Sequence, residues 1–131
     1  MATGRCQCGA IRYEVLGDPA YSALCHCVDC RRSACAPMVG WALFAEDRLV
    51  VSGEPIRYRS SDNATRSFCG TCGTGLFYVN PVAFPRMVDI QTATLDDAAA
   101  FPPAAHVQWA EAALWMGRAH DLPKYDRYPD G

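Results

Sequence analysis

The alternation of apolar and polar residues along the chain predicts a series of short β-strands. Ile11, Tyr13 and Val15 are apolar and alternate with the charged Arg12 and Glu14, which is the period of a strand with one buried face. Six further segments are rich in β-branched or aromatic residues and are bounded by Gly, Pro, Asp or Asn. They are residues 38–44, 49–52, 56–59, 65–68, 76–79 and 87–94. This pattern predicts a mostly β fold built from antiparallel sheets.

Little helix is expected in the remaining segments. Residues 28–33 predict a single helical turn, and residues 110–116 are the longer segment with helix-forming composition. Residues 53–55, with the sequence Gly-Glu-Pro, predict a hairpin turn. The alanine-rich residues 98–105 are predicted as a loop, and the proline-containing end of the chain as an irregular tail.

The size and charge of the chain exclude several classes of protein. A length of 131 residues predicts one domain spanning residues 1–131. The net charge of −2 provides no positive field that would attract nucleic acid or anionic lipid. The longest apolar run, residues 34–45, is shorter than the roughly 18 residues that cross a bilayer, and the start of the chain lacks a signal-peptide pattern. We therefore expect a soluble, cytoplasmic protein that binds neither nucleic acid nor membrane.

Eight cysteines point to metal chemistry, because seven of them fall into three tight clusters. Closely spaced thiols in a chain without an export signal indicate metal binding rather than a disulfide framework. The clusters are Cys6 with Cys8, then Cys25, Cys27 and Cys30, then Cys69 with Cys72, while Cys35 stands alone.

The first and last clusters predict one structural zinc site with four thiolates. Residues two apart in a strand face the same side, so Cys6 and Cys8 are expected to present two sulfurs from an extended segment. Cys69 and Cys72 flank a glycine-containing turn that suits a zinc knuckle. Together the two pairs complete a tetrahedron and link residue 6 to residue 72. The alternative interpretation is that all four are ordinary buried thiols.

The middle cluster predicts a second zinc site with an open position. Three protein ligands leave one corner of the tetrahedron free for a substrate or water, which distinguishes catalytic from structural zinc. The alternatives are a thiol taken from another cluster or closure by one further residue, namely Cys35, His26, His106 or Asp29. We expect the ring of His26 to point away from the ion, on the surface or behind the ligands. His120 has no such neighbours and is expected on the surface.

Taken together, these motifs resemble the glutathione-dependent formaldehyde-activating enzyme family, which also includes centromere protein V. The residues that carry the resemblance are Gly4, Cys6, Cys8, Gly9, Ile11, Tyr13, Cys25, His26, Cys27, Cys30, Arg31, Phe68, Cys69, Cys72, Gly73, Leu76, Thr94, Leu95, Asp96, His106, Trp115, Leu122, Pro123 and Tyr125. The resemblance implies a β-tent fold with two zinc ions per chain. It places the structural zinc on the first and last clusters and the catalytic zinc on Cys25, Cys27 and Cys30. Cys35 departs from the family, where a small residue, commonly Gly, is expected.

Three thiolates around zinc favour the activation of a thiol over hydrolysis. A free thiol with a pKa of about 8.5 is only about 3% ionised at pH 7, whereas a zinc-bound thiol is deprotonated. The resemblance implies a carbon–sulfur lyase that reversibly adds a thiol, glutathione, to formaldehyde or a related small aldehyde. Arg31, Arg32 and Arg66 are the predicted partners of the thiol's carboxylates. His26, Asp29 and His106 are the predicted proton-transfer residues.

Two other functions fit the same residues. One is a non-catalytic interaction module in which both zinc ions are structural and the surface recruits a macromolecular partner. The absence of a basic arm and the negative net charge weigh against it. The other is a redox sensor, because zinc-bound thiolates oxidise readily and then release the metal.

Overall fold

The chain folds into two β-sheets in the computed structural model, which describes residues 1–129. The strands are β1 (Ala2–Arg5), β2 (Arg12–Val15), β3 (Tyr21–Cys25), β4 (Val39–Ala45), β5 (Leu49–Ser52), β6 (Ile56–Arg59), β7 (Thr65–Phe68), β8 (Gly75–Val79), β9 (Met87–Gln91) and β10 (Ala105–Val107). One α-helix, α1 (Val28–Ala34), lies between β3 and β4. Short 3₁₀ helices cover Glu46–Arg48, Thr92–Thr94, Ala98–Ala100, Trp109–Glu111 and Met116–Asp121.

The strands form one small and one large sheet. The small sheet has the order β1-β2-β5, and the large sheet has the order β10-β3-β4-β9-β8-β7-β6. Every pair of neighbouring strands is antiparallel except β10 with β3, which is parallel. The predicted mostly β, antiparallel fold with little helix is therefore confirmed.

The main hydrophobic core draws side chains from both sheets. Val15 of β2, in the small sheet, belongs to the same buried cluster as Phe44, Leu76 and Ile90 of the large sheet. All four are at most 1% exposed. Each such side chain contributes about 1.5–3 kcal/mol by leaving water, so the packing of the sheets against each other is a major source of stability.

The alternating segments became strands close to their predicted bounds. Residues 49–52, 56–59 and 65–68 coincide with β5, β6 and β7, and residues 28–33 lie within α1. The predicted strand 87–94 is too long, because β9 ends at Gln91 and Thr94 donates its hydroxyl to the Gln91 carbonyl, 2.8 Å away. The strands β1, β3 and β10 were not predicted. In β3 the three consecutive positions 22–24 are at least half-buried, so no alternation marks it.

The predicted hairpin turn at residues 53–55 is wrong. Strand β5 pairs with β2 in the small sheet, whereas β6 pairs with β7 in the large sheet. These residues therefore carry the chain from one sheet to the other. Gly53 has a φ of +95°, and a Cβ there would lie 2.5 Å from the Ala10 carbonyl oxygen, so glycine suits this crossing.

The helix-forming composition of residues 110–116 does not produce an α-helix. The segment is divided between the 3₁₀ helix Trp109–Glu111 and the start of Met116–Asp121. Leu114 is fully exposed, so this segment has no continuous apolar face to bury. The loop predicted at 98–105 contains the 3₁₀ helix Ala98–Ala100, and β10 begins at its last residue. None of the helices in residues 1–129 is long and apolar enough to span a membrane.

Gly4→Ala tests the close contact between β1 and its neighbours. A Cβ at Gly4 would collide with the Tyr13 ring and lie 2.6 Å from the Thr94 carbonyl oxygen. We expect the free energy of unfolding to fall by about 1–3 kcal/mol, as for other overpacked sites. Urea denaturation measures it. In the control Gly117→Ala, the nearest atom is 3.9 Å away, so its stability should change little. Equal stabilities for the two variants would contradict the predicted clash.

Candidate functional site

The first and last cysteine clusters come together in space. The sulfurs of Cys6, Cys8, Cys69 and Cys72 all lie within 4.8 Å of one another. Each pair sits on a turn, because the Gly9 amide donates to the Cys6 carbonyl and the Gly73 amide to the Cys69 carbonyl. The expectation that Cys6 and Cys8 lie on an extended segment is therefore wrong. Gly9 and Gly73 have φ values of +82° and +81°, which let the chain reverse within a few residues.

The spacing of these four sulfurs fits a tetrahedral metal ion. The Cys8 sulfur lies 3.7 Å from that of Cys6 and 3.8 Å from that of Cys69. A tetrahedral ion with metal–sulfur bonds of about 2.3 Å holds its sulfurs about 3.8 Å apart, whereas a disulfide needs about 2.05 Å. The Ile11 amide also donates to the Cys6 sulfur, at 3.2 Å. The donor set therefore suits a four-thiolate metal site.

Thr74 favours the ionised form of one ligand in this cluster. Its hydroxyl lies 3.2 Å from the Cys72 sulfur and lowers the pKa of that thiol to about 5. Thr74 also accepts a hydrogen bond from the Gln7 amide, at 3.0 Å. One side chain therefore both prepares a thiolate and ties the first turn to the second.

The middle cluster is assembled by the end of β3 and the start of α1. The sulfurs of Cys25, Cys27 and Cys30 lie within 4.8 Å of one another. Cys27 is the N-cap of α1, and its sulfur accepts a hydrogen bond from the Cys30 amide at 3.2 Å. Burial raises the pKa of Cys25 to about 12 and raises that of Cys27, so a cation is needed to hold them as thiolates.

Within residues 1–129, the middle cluster contains only its three cysteines. The four residues suggested as a further ligand, Cys35, His26, His106 and Asp29, are not part of it. Cys35 is exposed at the C-cap of α1, and its sulfur donates to the Arg32 carbonyl. His26 is completely buried rather than on the surface, and its Nε2 lies 2.8 Å from Nδ1 of His106. Both imidazole rings pack against Trp109, with centroids 4.9 Å away. The described residues therefore place three sulfurs together and leave one corner of a tetrahedron free. His120 is exposed.

A cavity of about 440 Å³ opens beside these three sulfurs. Its volume lies in the range of about 300–1,000 Å³ that small-molecule sites occupy. One wall of the cavity is a row of five residues that lie directly opposite one another on neighbouring strands. The row crosses β3, β4, β9, β8 and β7 in that order. The row consists of Tyr21, Leu43, Asp89, Tyr78 and Arg66. His26 and His106 do not line this cavity, whereas Asp29 does.

Arg66 places a buried positive charge next to the sulfurs. It is only 9% exposed, its Nη2 lies 3.6 Å from the Cys30 sulfur, and its guanidinium stacks over the Tyr78 ring at 4.9 Å. Arg66 forms no ion pair with a carboxylate within residues 1–129. A buried charge without a partner is costly, so thiolates at this cluster are its natural counter-charge.

The three predicted carboxylate-binding arginines occupy different places. Arg66 also lines a second cavity of about 500 Å³, which shares Trp41 with the first and has Arg32 on its wall. Arg31 lines neither of these cavities, and its Nε is buried without a hydrogen-bond partner among the described residues. Two of the three arginines therefore line this pair of adjoining cavities.

Asp89 is a cavity residue that sequence reasoning missed. Burial raises the pKa of its carboxyl group to about 6. The alternation along β9 identifies Val88 and Ile90 as core residues, which leaves Asp89 on the opposite face as an ordinary exposed residue. That face is the cavity wall. The large aromatic Trp41 and Tyr78 on neighbouring strands are the sequence signal that this face is covered.

The chain resembles known proteins in sequence and in fold. Residues 1–111 match the family model described as glutathione-dependent formaldehyde-activating enzyme. The chain belongs to this family. It is 29% identical over 75 residues to a protein named as an uncharacterized lyase from Schizosaccharomyces pombe. That match covers 57% of this chain and 55% of the relative, so the chain spans about half the relative's length.

A solved structure shares the fold of this family member. It is the crystal structure of a Rhodobacter sphaeroides protein, which is 23% identical and superimposes with a TM-score of 0.64. The superposition covers 80% of this chain and 99% of the other. The family resemblance first seen in the cysteine pattern is thus confirmed by the family model.

Single cysteine substitutions should separate the roles of the two clusters. Cys69→Ser removes a ligand from the cluster that joins two distant turns, so we expect loss of one metal ion and at least about 3 kcal/mol of stability. Cys27→Ser should also lose one metal ion but remain folded, because serine is itself a good N-cap for α1. Elemental analysis and thermal denaturation measure both effects. Equal destabilisation of the two variants would refute this division.

Asp89→Asn should stabilise the protein above neutral pH. Because the folded pKa of about 6 exceeds the ordinary 3.8, the unfolded chain loses this proton first as the pH rises. Folding stability therefore falls between about pH 4 and pH 7, by up to about 3 kcal/mol, at about 1.4 kcal/mol per pKa unit. The side chain of asparagine does not ionise, so the variant does not lose this stability as the pH rises. Urea denaturation of metal-loaded protein should show a gain that is larger at pH 8 than at pH 5 by about 1.4 kcal/mol, and an equal difference at both would contradict the assignment.

Proposed function

We propose that this protein is a zinc-dependent carbon–sulfur lyase that reversibly joins glutathione to formaldehyde or a related small aldehyde. The product is an S-hydroxymethyl adduct. The observation that carries the proposal is the group of three sulfurs facing a cavity with a buried arginine on its wall. Membership of the family supports the choice of thiol and aldehyde.

Zinc is the metal that best suits both clusters. Tetrahedral sites made only of sulfur select zinc or iron–sulfur clusters, and sulfurs that all lie within 4.8 Å of one another leave room for a single ion only. When bound to Cys25, Cys27 and Cys30, zinc supplies a fourth position at which a substrate thiol is held in its ionised form. We therefore expect two zinc ions per chain, one structural and one catalytic.

The cavity residues bind and orient the two substrates. Arg66 balances the negative charge of the thiolates and offers a cation to a carboxylate of glutathione. Arg32 lines the adjoining cavity, where a second carboxylate would meet a positive charge. Trp41 and Tyr78, with ring centroids 6.0 Å apart, cover the wall and exclude water. Holding two reactants together in this way supplies several kcal/mol of the activation barrier.

The reaction forms one carbon–sulfur bond and transfers one proton to the aldehyde oxygen. The sulfur electron pair forms a bond to the aldehyde carbon, and the carbonyl electron pair moves to the oxygen. That oxygen then takes a proton and becomes the hydroxyl group of the adduct. In reverse, the hydroxyl loses its proton, the carbon–sulfur bond breaks, and the thiolate and the aldehyde separate.

Cobalt substitution tests whether a substrate thiol enters the three-cysteine cluster. Co²⁺ reports each bound sulfur through its charge-transfer absorption, so titration with glutathione should give a saturable increase in the wild type. Cys27→Ser should abolish the increase. Cys35→Ser, which changes an exposed thiol outside both clusters, should leave it intact. An unchanged spectrum with two four-sulfur sites would refute the open position and favour the interaction module.

Adduct formation tests the reaction itself. Zinc-loaded wild-type protein should accelerate the exchange between formaldehyde and its glutathione adduct, measured by exchange NMR spectroscopy. Cys27→Ser should lower the rate by at least about 100-fold, because a lost metal site removes several kcal/mol of stabilisation. Cys35→Ser is again the control. Wild-type protein carrying both zinc ions but giving no acceleration would refute the proposed activity, and reversible loss of one zinc under mild peroxide would then favour the redox sensor.

A further inference from the structure

Two carboxylates line the cavity beside the three sulfurs within the part of the chain that the structure describes, and they differ in their surroundings. Asp29 lies on α1 and is exposed at the edge of the cavity. Asp89 lies in the middle of the large sheet, directly opposite Leu43 of β4 on one side and Tyr78 of β8 on the other. Only Asp89 is thus enclosed by protein at the wall where substrates would lie.

We propose that Asp89 is the proton-transfer residue of this site. Its carboxylate accepts the proton that the substrate thiol releases on entering, and the resulting carboxylic acid returns that proton to the aldehyde oxygen. The inference rests on the proposed function, because it assigns a residue to the proton transfer that thiol addition requires.

The assigned steps conserve protons and electrons. The thiol loses one proton to the Asp89 carboxylate, and its sulfur keeps the electron pair. That pair forms the carbon–sulfur bond while the carbonyl pair moves to oxygen, which then takes the proton back from Asp89. The carboxylate is regenerated, and no oxidant, reductant or further reactant is needed. In the reverse direction Asp89 first removes the hydroxyl proton and then gives it to the departing thiol.

The neighbours of Asp89 leave its carboxyl group free to change protonation state. The titratable and charged groups that face the same cavity are Arg66, Tyr78, Tyr21, Asp29 and the three cysteines. Arg66 is stacked on Tyr78 and lies against the Cys30 sulfur, and within residues 1–129 no ion pair joins it to Asp89. An ion pair would hold Asp89 as a carboxylate across the neutral range. Without one, burial keeps its pKa near 6, where both forms are populated close to neutral pH.

The position of Asp89 is costly for folding, and within residues 1–129 no ion pair offsets that cost. Its carboxyl group makes no side-chain hydrogen bond to a described residue, although it is largely enclosed. Asparagine has nearly the same shape and carries no charge to desolvate. A destabilising group in a cleft next to candidate metal ligands is the arrangement expected of a functional residue.

The test compares zinc-loaded wild type with Asp89→Asn and with the control Asp18→Asn, which alters an exposed aspartate between β2 and β3. We expect Asp89→Asn to lower kcat for adduct formation by about 100-fold, the usual effect of losing a general acid–base group. The KM for glutathione should change by less than about threefold, because binding is not affected. The inflection near pH 6 in the wild-type rate should disappear. Asp18→Asn should match the wild type throughout.

Two measurements check the inference independently of activity. ¹³C NMR of aspartate-labelled protein should show a carboxyl resonance that titrates near pH 6, shifts when glutathione is added, and is missing in Asp89→Asn. Both variants should contain two zinc ions and give the wild-type response to glutathione after cobalt substitution. Asp89→Glu, which keeps a carboxyl group, should recover part of the activity that Asp89→Asn loses.

The possible failures are distinguishable. Zinc-loaded wild type that gives no acceleration overturns the proposed function, and the role of Asp89 falls with it. An active wild type whose Asp89→Asn variant keeps its rate and pH profile overturns the role of Asp89 alone. A variant that keeps kcat but raises the KM for glutathione more than about tenfold identifies Asp89 as a binding residue and also overturns proton transfer.

Discussion

The meeting of two distant turns at one group of four sulfurs is the constraint on which the rest of the structure depends. Cys8 and Cys69 are 61 positions apart in sequence, yet their sulfurs lie 3.8 Å apart. The first turn connects β1 and β2 of the small sheet, and the second connects β7 and β8 of the large sheet. Closing so long a loop costs chain entropy, and the hydrogen bonds of short strands offset little of that cost. A metal ion bound by all four sulfurs would therefore be well suited to hold the two sheets together.

The second cluster shows how a local ligand group acquires a non-local cavity. Its three cysteines lie within six consecutive positions, and one strand end and one helix cap suffice to gather them. The wall opposite comes from β4, β7, β8 and β9, whose order is set by the sheet. Arg66 lies on β7 and Tyr78 on β8, the two strands joined by the turn that carries Cys69 and Cys72. The four-sulfur group therefore also determines where these two side chains lie. The four-sulfur group therefore supports the geometry of the candidate catalytic one.

The sequence is informative where a property is local. Alternation identified β5, β6 and β7, and thiol spacing grouped both sets of ligands, since each depends on residues a few positions apart. The errors arise where a property depends on pairing. Residues 53–55 are readable as a break between two strands, but nothing near them reveals that β6 joins the other sheet. The role of Asp89 was missed for the same reason. Its strand is recognisable from the sequence, but the residues that face it lie on strands that are distant in sequence.

The order of side chains across the large sheet keeps two opposite charges apart. Tyr78 stands between Asp89 and Arg66 in the same row, so its ring contacts the guanidinium, and no cation among residues 1–129 pairs with the carboxyl group. Direct pairing would be better for stability, but it would draw Arg66 away from the Cys30 sulfur and hold Asp89 as a carboxylate. The cavity consequently offers a fixed positive charge beside the sulfurs and a separate carboxyl group that can gain or lose a proton. Addition of a thiol to an aldehyde makes the same two demands, since its sulfur begins negative and its oxygen ends protonated.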